Sequence, residues 1–102
     1  MRKARGRPAL IQSFADRTTE AVHRGDRPKG FPAAIFPTAR RKLAVLDQAA
    51  DLNDLRAPPG NRLHPLTHDR AGQHAIRIND QYRICFRWTD HGPADVEIVD
   101  YH

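Results

Sequence analysis

Read for its hydrophobic and polar positions, the chain divides near Gly60. Before that point apolar residues recur at helical spacing, and after it they alternate. Ala39, Leu43, Leu46 and Ala50 fall at i, i+4, i+7 and i+11, one stripe of an α-helix, with Arg40, Arg41 and Asp47 off it. Thr38 stands at the head of that stripe and is the expected N-cap. An earlier helix runs through Thr19, Glu20, Ala21, Val22 and His23, capped by Asp16 and stopped by Gly25. The stretch from Asp26 to Pro37 has little period and reads as a linker. A short helical turn through Leu52 and Leu55 ends at Ala57-Pro58-Pro59-Gly60, a firm breaker. Ahead of both helices, Leu10 to Phe14 alternates like a short strand.

The second half reads as β. Arg62 to Leu66 is a short strand that Pro65 confines to an edge or a bulge. Thr67 to Gly72 is a polar turn. His74 to Ile78 and Tyr82 to Trp88 are strands joined by Asn79-Asp80-Gln81, a hairpin connection. After the turn Asp90-His91-Gly92-Pro93, a last strand covers Val96 to Tyr101. Strands gathered after helices predict an α+β fold, with the two N-terminal helices packed on one face of a small, mainly antiparallel sheet.

Composition narrows the class. The 102 residues suit one domain, with 39% hydrophobic and 28% charged residues. The formal charge of +5 favours a polyanionic partner, nucleic acid above all. Arg2, Lys3, Arg5 and Arg7 make residues 1–10 a basic arm, so the folded domain is expected over 11–102. The single cysteine, Cys85, leaves no disulfide framework or CxxC metal motif and fits a reducing compartment. No apolar run approaches the ~20 residues of a membrane span, and the start lacks the apolar stretch of a signal peptide. A cytoplasmic protein without a membrane partner is expected.

Strand parity gives the charge a place. Tyr82, Ile84, Phe86 and Trp88 share one face of their strand, with Arg83, Cys85 and Arg87 on the other; in the neighbouring strand Ile76 and Ile78 oppose Arg77. An apolar face therefore backs onto a face bearing Arg77, Arg83 and Arg87. Guanidinium groups grip phosphate bidentately, although arginines are also the ordinary solvated side of such a sheet. The chain closes on Asp100-Tyr101-His102, an acid, a phenol and an imidazole that can move protons or bind phosphate. Parity sets Asp100 with Val96 and Ile98, and Tyr101 with Glu97 and Val99.

Four segments in order carry a resemblance: Asn61-Arg62-Leu63-His64-Pro65-Leu66, Asp69-Arg70-Ala71-Gly72, Ile76 through Phe86, and the terminal Asp100-Tyr101-His102. From about Ile11 to His102 the chain resembles HigB toxins of the RelE-like superfamily of type II toxin–antitoxin systems. The resemblance implies a RelE-like fold and ribosome-dependent cleavage of mRNA in the A site. It further implies a HigA-type helix-turn-helix antitoxin, through which alone operator DNA would be bound. Carried onto matching positions, the catalytic residues fall on His64, Asp100, Tyr101 and His102, with Arg83 at a basic position of the same site. Arg70, Arg77, Arg83 and Arg87 are the RNA-binding candidates. Some relatives have Lys-Gly where this chain has Thr67-His68, so a lysine able to neutralise phosphate charge is missing there.

RNA brings its own nucleophile, the 2′-OH, so cleavage needs a base, an acid and cations but no metal or cofactor. His64 and His102 are expected to bracket the scissile phosphate, with Arg83 and Arg77 on its oxygens. Asp100 would orient a histidine or pass a proton, and Tyr101 would stack on a base or hydrogen-bond phosphate. A non-catalytic basic RNA- or ribosome-binding module, or an inactive toxin relative, would use the same face. A metal enzyme is a weak rival: His64 and His68 are four apart, but Pro65 between them prevents a shared helical face.

Overall fold

Asp16 opens the first regular element by accepting a hydrogen bond from the Thr19 N–H at 2.7 Å. Helix α1 (Arg17–Arg24) follows and ends at Gly25, whose φ of 95° suits a residue without Cβ. The structure is a computed structural model, and it describes residues 7–101; Arg2, Lys3 and Arg5 of the basic arm, and His102, lie outside the described residues. Helix α2 (Phe36–Gln48) begins two residues before the expected cap. Thr38 is inside it, and the N-cap is Ile35 with no side-chain cap bond. Pro37 explains the shift, because proline fits the first turn of a helix, where an N–H has no intrahelical partner. The linker before α2 holds a 3₁₀ turn, Ala33–Ile35. Ala50 lies past the helix end, and Ala49 is the buried residue there.

Four strands follow: β1 (His64–Pro65), β2 (His74–Arg77), β3 (Tyr82–Thr89) and β4 (Gly92–Asp100). They form one antiparallel sheet in the order β1-β2-β3-β4. With the two helices this is an α+β architecture. The β2–β3 connection is an Asx turn, in which the Asn79 side chain accepts from the Gln81 and Tyr82 N–H groups at 2.9 and 2.7 Å. β4 starts at Gly92, earlier than the expected Val96, so Pro93 is a strand residue. A register shift between Cys85 and Arg87 marks a bulge in β3. Leu10 to Phe14 is not a strand. It is an extended segment with a single parallel bridge, Phe14 to Val96. Backbone contacts reach back to Ala9, whose N–H donates to the Ala49 carbonyl at 2.9 Å.

One apolar cluster joins Val22 of α1 and Ala39, Leu43 and Leu46 of α2 to Ile76, Ile84, Phe86 and Val96 of the sheet. A smaller cluster of Leu66, Ala75, Cys85 and Val99 lies on the other face. Lys42, also buried, sits inside α2 and donates to the Asn61 side-chain oxygen, whose amide in turn donates to the Leu55 carbonyl at 3.2 Å. Burial lowers the Lys42 pKa, and nearby Arg41 and Arg77 add to the effect.

Candidate active site

The face carrying the smaller cluster also carries the candidate site. Arg62, just before β1, adopts a left-handed backbone with φ 47°. Its carbonyl lies 2.9 Å from His64 Nδ1. A carbonyl only accepts, so Nδ1 is the donor of this contact, and in the neutral ring Nε2 is then the nitrogen with the lone pair. His64 itself is exposed on β1. After Leu66 pairs back to Gln73, the chain makes a 3₁₀ turn, His68–Arg70. His64, Pro65, the Leu66–Arg70 segment and Tyr101 enclose an open cleft of about 430 Å³.

Arg70 is held into this cleft from two sides. It donates to Glu97 and to the Gln73 side-chain oxygen, each at 3.1 Å. Arg83 stands across from Arg77 in the β2–β3 register. Arg77 pairs with Asp80. Arg83 instead donates to the Asn79 and Tyr82 carbonyls, and its guanidinium lies 5.6 Å from the Tyr101 ring centre. Among the described residues no carboxylate pairs with Arg83. Arg87, beyond the bulge, pairs with Asp95 at 2.9 Å. Of the arginines expected on one face, Arg77 and Arg87 thus have acidic partners, as does Arg70, which relieves like-charge repulsion on neighbouring strands.

Asp100 and Tyr101 line different depressions of the surface. Asp100 ends β4 and lines a different groove, with Tyr82, Ile98 and the Pro28–Pro32 segment. Its carboxylate accepts from Gln81 Nε2 at 3.1 and 3.2 Å, and the Gln81 carbonyl accepts from the Tyr101 N–H at 2.6 Å. Gln81 thus clamps the strand end from which Tyr101 turns toward the cleft. His64, Arg70, Arg83 and Tyr101 are brought together. Arg77 stands beside Arg83, whereas Arg87 and Asp100 are directed elsewhere. His102 lies outside the described residues.

Sequence reasoning missed Gln81, the Glu97 partner of Arg70 and the Arg62 carbonyl. The parity of β4, which sets Glu97 with Tyr101, was the available signal for the second. Cys85 is fully buried, and burial raises its thiol pKa, which leaves it a poor nucleophile. No group of three or more metal-ligating side chains occurs among the described residues. No helix among them is long and apolar enough to cross a membrane.

Comparison with known proteins identifies the family. The chain is 41% identical over 94 residues to Toxin HigB-1 of Vibrio cholerae serotype O1, a match spanning 91% of this chain and 98% of that protein. It is 32% identical over 66 residues to an uncharacterized protein of Haemophilus influenzae, covering 65% of each. The family model described as "RelE-like toxin of type II toxin-antitoxin system HigB" matches residues 12–102. By these matches, the chain belongs to the HigB-like family of RelE-like toxins.

Proposed function

We propose that this toxin is a metal-independent endoribonuclease that cuts mRNA on the ribosome and so arrests translation. Membership of a type II toxin–antitoxin family implies an antitoxin partner; we take it to be of the HigA type and the setting to be the cytoplasm. The observation that carries the reading is His64, whose Nδ1–H is tied to the Arg62 carbonyl, leaving Nε2 of the neutral ring as its acceptor, in a cleft shared with Arg70 and Tyr101.

In the reaction, His64 Nε2 takes the proton of a ribose 2′-OH. The freed oxygen attacks the adjacent phosphorus, and the bond to the 5′-oxygen breaks. The departing oxygen takes a proton from an acid, the role assigned to His102. The products are a 2′,3′-cyclic phosphate and a 5′-hydroxyl. Arg83, unopposed by a carboxylate among the described residues, stabilises the charge that builds on phosphorus. Tyr101 offers its ring to a base and its hydroxyl to phosphate. Asp100 acts through Gln81 by fixing the strand end that carries Tyr101. So few groups cannot position a free RNA, and the ribosome supplies that positioning.

The test is inducible expression with and without a candidate antitoxin, with mRNA 5′ ends mapped by primer extension. Growth arrest with new cuts inside translated codons, abolished in His64→Ala and His102→Ala, supports the reading. Arrest or ribosome binding without cuts would make the chain a non-catalytic relative using the same face.

A further inference from the structure

His68 is a residue to which the reaction above gives no task, and three observations single it out. It lines the same cleft as His64, Arg70 and Tyr101. Its backbone is left-handed, with φ 56°, a conformation that glycine adopts freely and a Cβ-bearing residue adopts under strain. Its imidazole is exposed and has no hydrogen-bond partner among the described residues, whereas His64 is tied to Arg62 and Arg70 to Glu97 and Gln73. Strain of this kind persists at positions where the side chain is in use. Local packing gives no such use, because the residue is not buried. Among the described residues no lysine lines the cleft, and the charge of its arginine is already offset by Glu97.

We propose that His68, as imidazolium, is the mobile cation of this cleft and binds a phosphate of the RNA backbone at the cut site. This deepens the ribonuclease reading and rests on it. The charged and titratable groups around His68 are His64 on β1, Asp69 and Arg70 on its own turn, and Tyr101 after β4, with Glu97 reaching the cleft through Arg70. Because an imidazole changes charge between about pH 5 and 8, the contact weakens as pH rises through that range. The advantage of His68 over an uncharged side chain is therefore largest on the acidic side of neutrality.

The experiment is cleavage of mRNA on programmed ribosomes by purified wild type, His68→Gly, His68→Gln and His68→Lys, at about pH 6 and pH 8, with thermal midpoints measured alongside. Wild type should exceed His68→Gly and His68→Gln by about tenfold at the lower pH, the range of one charge-assisted hydrogen bond. That ratio should fall toward one at the higher pH, where His68→Lys should outperform wild type. His68→Gly should melt no lower than wild type, since glycine relieves the strain. A ratio of one at both pH values, with wild type cleaving, overturns the role of His68 and leaves the ribonuclease reading intact. A pH-independent loss that tracks a lowered midpoint overturns it equally, as a purely structural effect. Absence of cleavage by wild type removes the ribonuclease reading itself, and His68 with it.

Discussion

The guanidinium of Arg83 lies 5.6 Å from the centre of the Tyr101 ring, linking the middle of the sheet to the end of the chain. The ring faces a cation that no described carboxylate offsets, and Tyr101 itself lines the cleft, so Arg83 stands directly behind the cleft's edge. Arg83→Ala should lower ribosome-dependent cleavage by about 10- to 100-fold, the worth of one or two charge-assisted hydrogen bonds. Arg83→Lys should recover only part of this, because lysine lacks the planar fork. Cleavage by Arg83→Ala within twofold of wild type would remove Arg83 from the site.

Arg87 supplies the contrast. It is half exposed and paired with Asp95, away from the cleft, and exposed ion pairs contribute about 0–1 kcal/mol. Arg87→Ala should leave cleavage within about threefold of wild type and the melting temperature nearly unchanged.

Glu97 holds Arg70 at 3.1 Å and cancels its charge. Glu97→Gln keeps a hydrogen-bond acceptor but releases that charge to RNA. Binding of a non-cleavable single-stranded RNA should tighten, and its dependence on log salt should steepen by about 0.7 per phosphate gained. An unchanged salt slope would show that Arg70 does not meet the backbone.

Asn61 is the buried partner of the Lys42 ammonium. Asn61→Ala leaves that charge without its acceptor and should destabilise the fold by about 2–3 kcal/mol in urea. Lys42→Met, which removes the charge along with the need for a partner, should cost less. Equal costs for the two variants would mean that the buried Lys42 charge needs no acceptor from Asn61.

His74 sets the acid side of stability. Its ring stacks on Phe86 with 6.3 Å between centres, and its Nδ1 is buried without a partner among the described residues. Burial, with nearby Arg56 and His64, lowers its pKa from the ordinary 6.5. The unfolded chain therefore binds the proton more readily than the folded one, so stability falls as pH drops through the region below 6.5. His74→Phe should flatten that fall between about pH 7 and 5 in urea titrations; an unaltered slope would place the acid sensitivity elsewhere.

Periodicity located α1, the stripe of α2 and the hairpin of β2 and β3, because each buries a regular apolar set. It failed where a backbone bond replaces a pattern. Pro37 moved the start of α2, and the pairing of Thr89 with Gly92 lengthened β4. Parity along β3 and β4 correctly set Arg83, Glu97 and Tyr101 apart from the apolar face. It could not reveal the pairs Arg70–Glu97, Arg77–Asp80 and Arg87–Asp95, since pairing depends on turns and a bulge that alternation does not encode. The His64 tautomer was equally hidden, because it follows from the left-handed turn at Arg62.

The outer side of β4 is occupied along much of its length. Gln12 and Ala15 donate to the Pro93 and Val96 carbonyls, Ser13 accepts from Val96, and the Thr19 hydroxyl accepts from Ile98. On the opposite flank β1 spans two residues, one of them Pro65. Neither flank offers a long row of open N–H and C=O groups onto which a stranger's strand could zip. The described body is thus guarded against growing into stacked sheets through its own flanks.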